Sequence, residues 1–205
     1  MTHPRIGASL LALTVLVFVW SGWAPKDRFT WFLEVFPVIV AVPLLVASRY
    51  RFPLTTLTYV LVAIHACILM VGGHYTYAEV PLFDSIRDAL HLARNHYDRV
   101  GHFAQGFVPA IVAREVLLRK TPLQRGGWLA FLVVCVCLAI SAVYELLEWA
   151  AAASSGSAAD AFLGTQGDAW DTQKDMALAG LGAVLAQAVL TRPHDAQLAE
   201  LARRQ

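Results

Sequence analysis

The sequence predicts an all-α polytopic membrane protein, a single integral domain over residues 1–205 built as a bundle of about six transmembrane helices plus an outer interfacial helix. Three observations predict it. Of 205 residues, 58% are hydrophobic and only 15% charged, against about 25% charged in a soluble domain. The apolar residues gather in six runs, each close to the roughly 20 residues that cross a 30 Å hydrocarbon core. Trp20, Trp23, Trp31, Trp128 and Trp149 fall near the ends of those runs, where an aromatic belt sits. Inside hydrocarbon, backbone N–H and C=O groups must be bonded within their own segment, so the runs are helices.

The first run, Ile6–Trp23, follows Arg5 and ends in small residues around Gly22–Ala24, which also fits a signal peptide. Pro25 beyond that point disfavours cleavage, and the run is long for a signal, so it is read as a span. The second, Trp31–Ser48, contains Pro37 and Pro43, and the fourth contains Pro109; kinks are expected there. The third covers Leu54–Gly72. In the loop that follows, "PLFDSIRDALHLARNHY" places Phe83, Ile86, Leu90, Ala93 and Tyr97 at helical spacing. With Asp84 as its N-cap, this predicts an interfacial helix roofing the outer leaflet. The fourth, fifth and sixth spans are Arg99–Leu118, Trp128–Ala150 and Asp171–Leu190. A Gly/Ser-rich loop, "AAASSGSAADAFLGTQGD", joins the last two and reads as flexible.

Basic residues orient the bundle. With the amino terminus in the cytoplasm, the inner side receives Arg5, Arg49, Arg51, Arg119, Lys120, Arg125, Arg192, Arg203 and Arg204, so both termini are expected to be cytoplasmic. A net charge of +1 gives no basic surface for nucleic acid. Cys67, Cys135 and Cys137 all lie inside apolar runs and read as small apolar fillers. The lipid bilayer is the one partner the composition implies.

Depth along each span, at 1.5 Å per residue, places His102, Glu145 and Asp175 roughly 9–11 Å from the midplane, all toward the outer side. A second tier, Asp98, Glu148 and Asp171, with His74 at the end of the third span, comes out about 13–17 Å from it. Asp98 and His102, Glu145 and Glu148, and Asp171 and Asp175 are each spaced to share a helix face, and Asp168 extends the last stripe if it is helical. Burying such groups costs about 2.5–3.5 kcal/mol each at a helix centre. Arg94 and Arg99 neutralise part of the charge, but read as too far out to serve Glu145 and Asp175. A divalent cation fits the remainder, with imidazole and carboxylate ligands suiting zinc, iron or manganese. His102, Glu145, Asp175 and Asp98 are the candidate metal residues, and Glu148 and Asp171 the candidate general bases. Gln105, one turn from His102, is placed to bond within the site. His65, near the midplane, is read as a hydrogen-bonded packing residue, and Arg114–Glu115 as an anchor at the cytoplasmic interface.

The blocks "GGHYTYAEVPLFD", "RNHYDRVGHFAQGFVPA", "YELLEW" and "FLGTQGDAWDTQKDM" together resemble the YjdF-type family of bacterial inner-membrane proteins, a group of unknown function. That resemblance implies a multi-span helical protein of the inner membrane and no activity. Three functional readings stay open. One is a metal-dependent enzyme on a lipid or lipid-linked substrate. The others are a proton- or cation-coupled transporter and a non-catalytic scaffold or sensor. Against transport, the sequence shows no inverted repeat and an inner half nearly free of ionisable residues. No serine or cysteine elbow, phosphate loop or dinucleotide fingerprint is present.

Overall fold

The computed structural model describes residues 4–155 and 165–203, and over them the regular structure is entirely helical. Seven helices follow in order: α1 (Pro4–Gly22), α2 (Arg28–Ser48), α3 (Thr56–Tyr75), α4 (Pro81–Ala89), α5 (Tyr97–Lys120), α6 (Gly127–Ser155) and α7 (Asp171–Arg203). Five of them, α1, α2, α3, α6 and α7, are long and apolar enough to cross a membrane. α5 is also long enough, since 24 residues reach about 36 Å, but it is studded with charge. It is tolerated because its neighbours enclose it: α5 packs against α3, α6 and above all α7, so its polar face meets protein rather than lipid.

The α5–α7 contact is a contact between backbones. A Cβ on Gly106 would lie 1.8 Å from the Ala179 carbonyl oxygen, and one on Gly182 would lie 2.3 Å from the Phe103 carbonyl oxygen. Small residues here let two helices meet without intervening side chains. Beside this seam, Ala110, Ile111, Leu129, Val133, Cys137, Ala183 and Ala186 form an apolar layer contributed by α5, α6 and α7. A second apolar group, Val35, Val38, Ala66 and Met70, joins α2 to α3.

Capping sets the helix starts. The Asp27 carboxylate accepts from the Thr30 N–H at 2.7 Å, and the Thr55 hydroxyl accepts from the Thr58 N–H at 3.3 Å. α3 stops at two successive left-handed residues, Thr76 (φ 58°) and Tyr77 (φ 51°), a costly backbone for residues with a Cβ. The turn folds the Tyr77 ring back against Gly72 and Gly101, where a Cβ would lie 2.3 and 2.8 Å from ring atoms.

The structure revises the expected interfacial helix. The interfacial helix is only nine residues long. Its cap is Val80 with Pro81 at the first position, while Asp84 sits within the helix and accepts from Arg87 at 2.8 Å and Asn95 at 3.0 Å. Ala93 lies in the following loop, and Tyr97 begins α5 instead. Leu82, Ile86 and Leu90 do present an exposed apolar stripe. α7 continues three turns past the expected end at Leu190, through Pro193, because His194, Leu198 and Leu201 are buried. Pro37, Pro43 and Pro109 all lie inside uninterrupted helices. Half of the Gly/Ser-rich loop, residues 156–164, lies outside the described residues.

Candidate functional site

The start of α5 lies at the same end of the bundle as the end of α3, the end of α6 and the start of α7, and there the ionisable residues converge. Asp98, His102, Glu145, Glu148, Asp171 and Asp175 are all buried, none more than 8% exposed, so the six residues singled out by depth do face inward. They divide into a cap and a chamber.

The cap is an ion-pair lattice between the loop preceding α5 and the start of α7. Arg94 pairs with Asp171 Oδ1 at 2.5 Å and with Asp98 Oδ2 at 3.3 Å. Arg99 reaches Asp171 Oδ1 at 2.6 Å, Asp168 Oδ2 at 3.1 Å and Asp175 Oδ1 at 2.6 Å. The arginines are therefore not too far out for Asp175, as the depth estimate had it; a guanidinium reaches down a full turn. Asp168 is not helical. It precedes α7, accepts from the Trp170 N–H at 3.0 Å and pairs with Lys174 at 2.6 Å, and the Lys174 ammonium holds its carboxyl below the usual range. The two loops are stitched together by paired amides: the Asn95 N–H donates to Gln166 Oε1, and Gln166 Nε2 donates to the Asn95 carbonyl, both at 3.0 Å.

The chamber lies one turn deeper and is centred on His102. Its Nδ1–H donates to Gln105 Oε1 at 3.0 Å, which turns Nε2 toward the carboxylates of α5 and α7. Nε2 faces Asp98 Oδ1 at 3.4 Å and Asp175 Oδ2 at 4.0 Å. Those residues offer three ligand atoms that all lie within 4.8 Å of one another. Ligand atoms around a tetrahedral ion with 2.0–2.1 Å bonds stand about 3.3 Å apart, so the set is only slightly wide for one. Glu145 approaches from the other side of the ring, 3.7 Å from Nδ1. Its Oε1 is buried with no hydrogen-bond partner among the described residues, as is Ser141 Oγ one turn below it on α6.

Three participants escaped the sequence reading. Glu34 of α2 is 5% exposed and accepts from the Tyr144 hydroxyl at 2.7 Å; its electrostatic neighbours include Asp98 and His102. The same ladder applied to the second span puts it about 8 Å from the midplane on the outer side, so the signal was present. Tyr77 and Tyr144 close the chamber beside Glu34 and Glu148; their aromatic character hid them among packing residues. His74 does not join the site, because its Nδ1 bonds the Ser21 carbonyl at 2.9 Å and its ring lies against Trp20. His65 departs from the expectation of a bonded packing residue: its Nε2 is buried with no partner among the described residues.

At the far end of the bundle stands a second buried polar group, where few ionisable residues were expected. Glu115 and His194 are fully buried and Arg114 is 3% exposed. Glu115 accepts from the Thr55 N–H at 3.0 Å, the Thr58 hydroxyl at 2.7 Å, Arg119 at 2.8 Å and His194 Nε2 at 3.2 Å. Arg114 donates to His194 Nδ1 at 3.0 Å and pairs with Asp195 at 2.8 Å. Glu115 is satisfied within this network, which pins the start of α3 to α5 and α7. Between it and the chamber lies the apolar layer around Ala110 and Ile111.

Comparison with known proteins decides the family. Residues 6–196 match the family model described as "Predicted membrane protein (DUF2238)". The chain belongs to this family. It is also 53% identical over 193 residues to the inner membrane protein YjdF of Escherichia coli (strain K12), covering 94% of this chain and 92% of that one. No solved structure matches. The chain is thus a multi-span helical membrane protein of unassigned activity, with a buried His/Asp cluster at one end.

Proposed function

We propose that the chamber holds a divalent cation, zinc, iron or manganese, and that the protein is a metal-dependent enzyme of the inner membrane acting on a lipid or lipid-linked substrate. The observation that carries this reading is the grouping of His102 Nε2 with Asp98 and Asp175 inside 4.8 Å. Charge supports it. Among the described residues, Glu34, Asp98, Glu145, Glu148, Asp168, Asp171 and Asp175 face only Arg94, Arg99 and Lys174 as permanent cations. A divalent ion offsets the excess where protons would otherwise be required.

Within this reading His102, Asp98 and Asp175 are the ligands, and the Gln105 bond fixes the tautomer that leaves Nε2 free to bind. Glu145, on the Nδ1 side of the ring, is turned away from the other three and does not ligate the ion. Glu148 is the better general base. Asp171, the other candidate base, has one carboxylate oxygen claimed by both Arg94 and Arg99, which suits it to holding the cap. Coupled transport lacks a route, since the apolar layer lies between the chamber and the Glu115 network.

Elemental analysis of detergent-purified protein tests the proposal. About one equivalent of metal is expected, removed by chelator with a fall in melting temperature, and lost in His102→Ala. Protein that carries no metal and melts identically with chelator and with added zinc, iron or manganese would refute it.

We further propose that the chamber end faces the periplasm, with both termini cytoplasmic. Arg49, Arg51, Arg119, Lys120, Arg125 and Arg192 all belong to the opposite end, as the positive-inside bias requires. A cysteine introduced by Lys26→Cys should react with a membrane-impermeant thiol reagent on intact cells whose outer membrane has been permeabilised. Reaction only after lysis would reverse the orientation.

A further inference from the structure

α1 and α3 pack against each other, yet between them an apolar crevice of about 300 Å³ remains, with almost no polar surface on its walls. It follows α3 from Val60 to Val71 and is completed by Leu13 of α1 and the ring of Tyr97. Eleven residues at 1.5 Å make it about 16 Å long, roughly half the 30 Å hydrocarbon core. The crevice is therefore about as long as one leaflet is deep.

Its upper wall is shared with the candidate site. The Tyr97 hydroxyl donates to the Ile68 carbonyl at 2.9 Å, fixing the ring across the head of the crevice. Behind that ring stand Tyr77, with centroids 5.6 Å apart, and Phe83 at 5.2 Å. The next residue, Asp98, is one of the three that surround His102 Nε2. A molecule lying in the crevice is thus separated from the chamber by a two-ring aromatic partition.

We propose that this crevice seats one acyl chain of a bilayer glycerophospholipid, whose ester region then lies at the rim formed by Tyr97. This deepens the reading above and rests on it for the claim that the lipid is a substrate. The dimensions select the occupant. A single extended hydrocarbon chain matches its length of about 16 Å, and nothing polar along the walls opposes one. A helix of a partner or of a second copy packed over the crevice would instead shield Leu13 and Cys67 from a lipid probe.

The test uses the full-length protein in liposomes containing phosphatidylethanolamine that carries a photoactivatable diazirine on its acyl chain, with adducts mapped by peptide. Labelling of the segments around Leu13 and Cys67 should exceed that of the lipid-facing segment around Val143, which is 56% exposed, by about tenfold. Filling the crevice from either wall, with Cys67→Phe or Leu13→Trp, should lower it at least fivefold; the two variants approach from different helices, so one misfolded protein leaves the other informative. Even labelling over all lipid-facing helices, or labelling untouched by both fillings, would overturn the proposal. So would preferential capture of a diazirine-bearing polyisoprenyl phosphate. Repeating the labelling after chelation, and measuring metal in the filled variants, separates the two readings. Crevice labelling that survives in metal-free protein upholds the lipid seat even where the cation is refuted, and bound metal without crevice labelling does the reverse.

Discussion

Glu115→Ala is expected to destabilise the protein by about 3–5 kcal/mol, the cost of removing one partner from a buried ion network, and to lower its melting temperature by about 10 °C. Glu115 is fully buried and collects bonds from Thr55, Thr58, Arg119 and His194. Its loss leaves those donors unpaired in a place water does not reach, and Arg114 loses the neutral imidazole that the carboxylate orients. Thermal unfolding in detergent measures the effect. Glu115→Gln, which keeps the shape and can still accept, should fall between wild type and the alanine variant. An alanine variant melting within 2 °C of wild type would mean that the network contributes little to holding α3, α5 and α7 together.

Gly106→Ala should be the most damaging one-carbon addition in the chain. The new methyl would sit 1.8 Å from the Ala179 carbonyl oxygen and 2.5 Å from its carbon, and neither atom belongs to a side chain that can swing away. α5 and α7 must separate by more than an ångström to restore ordinary contact, at a cost at or above the upper end of the 1–3 kcal/mol typical of overpacking. The separation has a second consequence. His102 lies one turn above Gly106 on α5, and Asp175 one turn above Ala179 on α7, so spreading the seam widens the 4.0 Å gap between Nε2 and Asp175. Metal content should fall together with melting temperature. Gly180→Ala, whose methyl would meet only the Leu138 side chain at 3.3 Å, should leave both nearly unchanged. Equal behaviour of the two variants would contradict the account of the α5–α7 seam.

The architecture was legible because hydrocarbon imposes a strong rule: apolar runs of fixed length become helices, and a 1.5 Å rise converts position into depth. The inward convergence of Asp98, His102, Glu145, Glu148, Asp171 and Asp175 followed from that conversion. Other features were hidden for identifiable reasons. Depth says nothing of reach, so Arg99 was set too far from Asp175, although its guanidinium lies 2.6 Å away. Glu34 was missed because an acid without a partner one turn away on its own helix does not stand out; its partner, Tyr144, is 110 residues away in the chain. The apolar run that defines the last span stops near Leu190, and it does not show that burial of His194, Leu198 and Leu201 carries the helix onward. α4 was overextended because Ala93 and Tyr97 keep the helical period while serving a loop and the next helix.

The polarity of α5 bears on how the chain is made. Unlike its neighbours, α5 is not long and apolar enough to qualify as a span by itself, so it has little tendency to leave an insertion channel for lipid unaided. The helices that shield its charges, α6 and α7, are synthesised after it. α5 is therefore expected to reach lipid together with the helices that enclose it rather than alone.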